Sequence, residues 1–298
     1  MNNRVFALLA ATGEATIYGL NHSIAKGLMP EYIQPFGFIL LRVLCAAILF
    51  WIISLFTKNE KIDRADWLRI IACSIFGMVI NMLMFFKGLS LSTPINSSVI
   101  ITITPILVLA LGAFILKEKV TYLKVFGIFL GLVGALVLVL FGSEIRSDAP
   151  NIPLGNALFM INAASFGVYL VLVKPLTKKY RPFTLLKWFF LISLIINLPI
   201  TYSEFSEVAW SSLPSKAIWM MIYVILGTTF LTYLLNMMAL KELSPSTLSV
   251  FVYLQPFIAI IFAVITGSDH LNVIKITAAI LVFTGVYFVT KKKTEYNA

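Results

Sequence analysis

Residues 85–139 read FFKGLSLSTPINSSVIITITPILVLALGAFILKEKVTYLKVFGIFLGLVGALVLV, and residues 236–290 read NMMALKELSPSTLSVFVYLQPFIAIIFAVITGSDHLNVIKITAAILVFTGVYFVT. Shifted by 151 positions without a gap, Leu89 falls on Leu240, Pro94 on Pro245, Ser98 on Ser249, Pro105 on Pro256 and Gly134 on Gly285, while Glu118 falls on Asp269. Each copy is a short polar turn closed by a proline, a long apolar run with a second proline in its middle, a charged break and another apolar run. The chain is a duplication, and the duplicated unit is built of membrane spans.

Composition leads to the same place. Of the 298 residues 60% are hydrophobic and 12% charged, with a mean hydropathy of +0.96, more apolar surface than a water-soluble domain of this size can hide. Charge-free runs at 88–116, 149–173, 217–240 and 243–268 are each long enough to cross about 30 Å of hydrocarbon as a helix. Strands are excluded, because the alternating pattern of a membrane barrel is absent and lipid tolerates no open sheet edge. The predicted fold class is all-α and polytopic, with ten transmembrane helices near 5–26, 34–56, 67–87, 93–116, 121–142, 152–174, 184–202, 217–239, 244–267 and 271–290.

Five spans per half is an odd number, so the halves enter the membrane from opposite sides as inverted repeats. The first is expected over 1–142 and the second over 152–290, joined by the 143–153 loop and followed by a basic tail at 291–298. The earlier spans repeat more faintly: Ala15, Tyr18, Gly19 and Lys26 match Ala163, Phe166, Gly167 and Lys174 at an offset of 148, and Pro35-Phe36 match Pro182-Phe183 at 147. With both termini cytoplasmic, 17 lysines and arginines fall on the inside and 5 on the outside, Arg42 lying within a span. The formal charge of +10 therefore marks topology in a cell membrane, inner or plasma, rather than a nucleic-acid partner. The two cysteines, Cys45 and Cys73, lie in apolar spans and offer neither a disulfide framework nor a metal site.

In their order, these residues resemble the EamA-type ten-helix branch of the drug/metabolite transporter superfamily. The first half is similar through Tyr18-Gly19, Lys26, Pro35, Arg42, Asn81, Pro94, Pro105, Glu118, Gly127 and Gly134; the second through Asn236, Ala239-Leu240, Ser244-Pro245, Tyr253-Leu254-Gln255-Pro256 and Gly285. The resemblance covers nearly the whole chain and implies a secondary transporter, commonly an exporter of small metabolites, amino acids or drugs, with a central cavity between the halves. Two departures stand out: Tyr18 occupies a position where tryptophan is usual, and Gly267-Ser268-Asp269 replaces the usual glycine-glutamate.

Glu14 sits near the middle of the first span, where an unpaired charge costs about 2.5–3.5 kcal/mol or more. It faces a polar cavity, pairs, or carries a proton; the small multidrug exporters of the same superfamily also use a first-helix glutamate. Two readings stand: a proton- or substrate-binding acid, or a satisfied ion pair with Arg42. For Arg42 itself the readings are that pair, an outward-reaching anchor, or a receptor for a carboxylate or phosphate on the substrate.

Pro105 and Pro256, mid-span and equivalent, are predicted to bend the fourth and ninth helices, as hinges or as static kinks. Asn81, Ser98, Thr102, Asn236, Ser249, Tyr253 and Gln255 place hydrogen-bonding groups in apolar spans. The four-residue steps from Ser98 to Thr102 and from Ser249 to Tyr253 put each pair on one helix face, expected to line a shared cavity, although hydroxyls also join helices. With Glu14, Tyr18 and Arg42 these form the expected substrate and proton pathway. Gly127 and Gly131 form a G-x-x-x-G suited to a contact between halves or protomers, so monomer and homodimer both stand. His22 and His270 are expected near the outer face as solvated residues.

No G-x-x-x-x-G-K-[ST] loop is present, so ATP is not the direct energy source, and no cofactor is called for beyond a proton gradient. An intramembrane enzyme is disfavoured, since neither G-x-S-x-G with a partner histidine nor H-E-x-x-H occurs. A channel would want a filter sequence, and none is evident. The expected function is a proton-coupled exporter working by alternating access; an uptake carrier or facilitator of the same fold is the alternative.

Overall fold

The computed structural model describes residues 3–57, 60–141, 149–265 and 273–291. Ten helical rods account for them: α1 Asn3–Leu28, α2 Pro35–Leu55, α3 67–91, α4 94–115, α5 Tyr122–Phe141, α6 Ile152–Lys179, α7 Pro182–Ser206, α8 215–242, α9 245–265 and α10 Val273–Thr290. No strand occurs among the described residues. Seven of the helical segments are long and apolar enough to cross a membrane, and 122–137 is a shorter apolar one. Asp269, His270 and most of the 291–298 tail lie outside the described residues, as do the side chain of His22 and residues 142–148 of the seam.

Helix starts follow directly from local chemistry. Proline opens α2, α4, α7 and α9 at Pro35, Pro94, Pro182 and Pro245, where its fixed φ suits the first turn and its missing N–H is not needed. The equivalent caps Thr93 and Ser244 accept from the amides of Asn96 (3.1 Å) and Thr247 (3.3 Å). The amides opening α2 are capped by Glu204 at the end of α7, whose Oε2 accepts from Phe36 N at 2.6 Å. Those opening α7 are capped by Glu60 just past α2, which accepts from Arg181 N at 2.8 Å. Each half thus caps a helix of the other.

The halves interdigitate. Helix α1 packs on α8 and α9, α6 on α3 and α4, α2 on α7, and α5 on α10. The exchange of partners is what a twofold relation between repeats demands. The glycines of α5 and α10 make the last contact possible: a Cβ on Gly285 would stand 2.5 Å from the carbonyl oxygen of Gly127 and 2.6 Å from the amide of Gly131. The G-x-x-x-G therefore serves a contact between halves.

Lys26 and Lys174, matched at offset 148, play one role twice. Lys26 Nζ donates to the carbonyls of Leu89 (2.7 Å) and Ser92 (3.3 Å) at the end of α3. Lys174 Nζ donates to those of Leu240 and Leu243 (2.8 Å for the latter) at the end of α8. Leu89 and Ser92 are themselves the equivalents of Leu240 and Leu243. A cation on the last carbonyls satisfies orphan acceptors and opposes the negative helix end. Lys174→Met is expected to cost about 1–2 kcal/mol through lost charge-assisted hydrogen bonds, read as a lower Tm of the detergent-purified protein. Lys26→Met should fall by a similar amount, and an unchanged Tm in both would show that water replaces the caps.

Candidate functional site

Helices α1, α2, α3, α4, α6, α8 and α9 converge on a cavity between the halves. A first stripe comes from α1, where Glu14, Tyr18 and Asn21 recur at steps of four and three and so share one face. Gly19 lets that helix lie against α9, since a Cβ there would approach the Gln255 carbonyl to 2.9 Å. The opposite stripe comes from α6, where Asn162 and Phe166 are the repeat equivalents of Glu14 and Tyr18. Arg42 enters from α2, Asn81, Phe85 and Phe86 from α3, Thr104 from α4, Tyr233 from α8 and Gln255 from α9. A second, smaller cavity shares Glu14, Phe166 and Gln255 with the first and adds Asn236 and Ser249.

Glu14 is held by Asn236, whose Nδ2 donates to Oε1 at 2.9 Å. Arg42, 2% exposed, is not its partner. The guanidinium instead donates from Nε to Thr229 Oγ1 (2.7 Å) and from Nη2 to the Thr228 carbonyl (3.3 Å), with Cζ 4.6 Å from the centroid of the Phe86 ring. Tyr18 is a neighbour of both charges. The expected Glu14–Arg42 ion pair is therefore replaced by two separate sets of neutral partners, and Arg42 turns inward rather than reaching outward.

What turns Arg42 inward is a stretch of wide helical turns. Residues Ile75–Ile80 of α3 and Tyr223–Leu231 of α8 are π-helical, and under the 151-residue shift the first falls inside the second. Such turns loosen the usual backbone ladder and free carbonyls for other donors. Thr228 O receives Arg42, and Gly77 O receives the Tyr233 hydroxyl at 2.8 Å. Asn81 and Asn162 then tie α3 to α6 reciprocally, Asn162 Nδ2 donating to Asn81 O at 2.9 Å and Asn81 Nδ2 to Asn162 O at 3.5 Å.

Of the residues expected from sequence, Glu14, Tyr18, Arg42, Asn81 and Gln255 line the larger cavity, and Asn236 and Ser249 the smaller. Ser98, Thr102 and Tyr253 line neither. Thr102 turns back to its own helix, donating to Val99 O, and Tyr253 is fully buried with its ring against Gly131 of α5. The four-residue reasoning fails there because α4 breaks at 102–103 and α9 is 3₁₀-helical over Val250–Tyr253, so residues four apart no longer stack. The same breaks fall just before Pro105 and Pro256, each of which stands in the first turn of a new helical segment, Thr104–Ile115 and Leu254–Ile265.

Sequence reasoning missed Asn21, Thr104, Asn162, Phe166 and Tyr233 as cavity residues. The signal for Asn162 and Phe166 was present in the 148-residue offset, which lays them on Glu14 and Tyr18.

Residues 5–140 and 153–291 each match the EamA-like transporter family. The chain belongs to that family. This EamA-like chain is 26% identical over 276 residues to an uncharacterized transporter, YyaM, of Bacillus subtilis (strain 168), covering 92% of this chain and 90% of that one. An uncharacterized transporter of Archaeoglobus fulgidus is 27% identical over 278 residues, covering 93% and 96%. The WAT1-related protein At3g53210 of Arabidopsis thaliana is 22% identical over 308 residues, covering 94% and 81%. A solved structure described as "Crystal structure of protein" superposes with a TM-score of 0.77 at 18% identity, covering 96% of this chain and 97% of the other, which establishes a shared fold. The EamA-like chain is thus a multi-pass membrane transporter and not an enzyme, as its sequence led us to expect.

Proposed function

We propose that this transporter is a secondary carrier that exports small metabolites, amino acids or drugs by alternating access, driven by a proton gradient across a cell membrane, with both termini cytoplasmic. The observation that carries this reading is the cavity shared by two inverted halves, with the membrane carboxyl Glu14 on its wall. Two halves of like architecture entering from opposite sides give inward- and outward-facing states of similar energy. The paired π segments beside the cavity, and the paired breaks at 102–103 and 250–253, are the places where helices can change direction with least loss of backbone hydrogen bonding. Glu14 lines both cavities and its partner Asn236 belongs to the other half, so a proton taken up there acts on the contact between the halves.

The test has two parts. Metabolite comparison of cells with and without the gene identifies the cargo, and purified protein in proteoliposomes then gives its flux under an imposed pH difference. Accumulation against a gradient that collapses with a protonophore supports the reading. Flux that only equilibrates the cargo would make the protein a facilitator.

A further inference from the structure

The strongest unused feature of the cavity is a cation without a counterion. Arg42 is almost wholly buried inside a membrane helix, and among the described residues no carboxylate oxygen lies within 4.0 Å of its nitrogens. Its partners are a hydroxyl, a carbonyl, the Tyr18 phenol and the face of Phe86, all neutral. The acid in the same cavity is already engaged by Asn236. A buried charge is ordinarily paired, and a guanidinium that spends Nε and one Nη2 hydrogen on Thr229 and Thr228 still carries unspent N–H donors on a side chain that lines the cavity. About two turns along α1 from Glu14, Asn21 adds a second unmet demand: it is 1% exposed, and among the described residues neither its Nδ2 nor its Oδ1 has a hydrogen-bond partner. Buried amides are normally satisfied.

We propose that Arg42 and Asn21 form the anion-receiving end of the cavity, so that the cargo is a planar organic monoanion, a carboxylate carried on a flat apolar body. This rests on the cavity being the transport site. A carboxylate meets the fork with two parallel hydrogen bonds, which a tetrahedral anion does less well, and it accepts from the Asn21 amide. Phe85, Phe86 and Phe166 supply flat apolar walls for the body of the molecule. One guanidinium beside one neutral amide balances a single negative charge, which is why the class is a monoanion.

Benzoate, benzamide and benzylammonium share a ring and differ in charge, so their equilibrium binding to the detergent-purified full chain tests the assignment even before the cargo is identified. Benzoate is expected to bind saturably and at least about tenfold more tightly than benzamide, the scale of a charge-assisted pair over a neutral one. Arg42→Gln should remove that preference, Arg42→Lys should keep part of it, and Asn21→Leu should weaken benzoate severalfold. Equal binding of benzoate and benzamide by the unaltered protein overturns the proposal, whatever the variants do. So does preference for benzylammonium, or an Arg42→Gln protein that is monodisperse and still prefers benzoate. Benzoate selectivity in a protein that moves nothing across proteoliposomes would leave the anion site standing and sink the carrier reading instead.

Discussion

Replacing Glu14 by Gln is expected to reduce uphill, pH-driven accumulation of cargo in proteoliposomes to background, while yield, monodispersity and Tm stay close to those of the unaltered protein. The two side chains have the same size and shape, and the Gln carbonyl oxygen can still accept from Asn236 Nδ2, which now stands 2.9 Å from Oε1. The bond between α1 and α8 is therefore kept. Stability should not suffer, because a carboxylate in the membrane interior is costlier than an amide. What disappears is the capacity to take up and release a proton. Downhill exchange of cargo on the two sides does not require that step and should persist, which separates loss of coupling from loss of binding. Unaltered pH-driven accumulation in the Gln variant would remove Glu14 from the coupling mechanism.

Gly285→Val is expected to leave little folded protein after extraction in mild detergent, with any recovered fraction melting far below the unaltered chain. The first atom of the new side chain would stand 2.5 Å from Gly127 O and 2.6 Å from Gly131 N, both backbone atoms that cannot rotate away. Relief requires α5 and α10 to separate along their whole length, and the cost of such overpacking is about 3 kcal/mol or more. Gly13→Ala is the control, since its nearest neighbour would be a Leu235 methyl at 3.4 Å, ordinary contact for a flexible side chain. Size-exclusion profiles and thermal unfolding of the two variants side by side measure the difference. A stable Gly285→Val protein would mean that the α5–α10 contact is not the close backbone approach described.

The amino-acid sequence alone determined the number of helices, the inverted repeat and which residues equate across it, because a bilayer admits few backbone arrangements and a duplication writes its register twice. It also placed Glu14, Arg42 and Asn236 at membrane depth, since a charge or amide in an apolar run is conspicuous. Tertiary structure decided the partners: Asn236 rather than Arg42 beside Glu14, the two threonines of α8 around Arg42, and Thr104 rather than Thr102 on the cavity wall. These depend on π and 3₁₀ turns at 75–80, 223–231 and 250–253 and on the break at 102–103, which change the helical phase of the side chains that follow and leave no mark in hydropathy. Hydropathy reports whether a residue meets lipid or protein; helical phase, set by packing between the halves, decides which neighbour it meets.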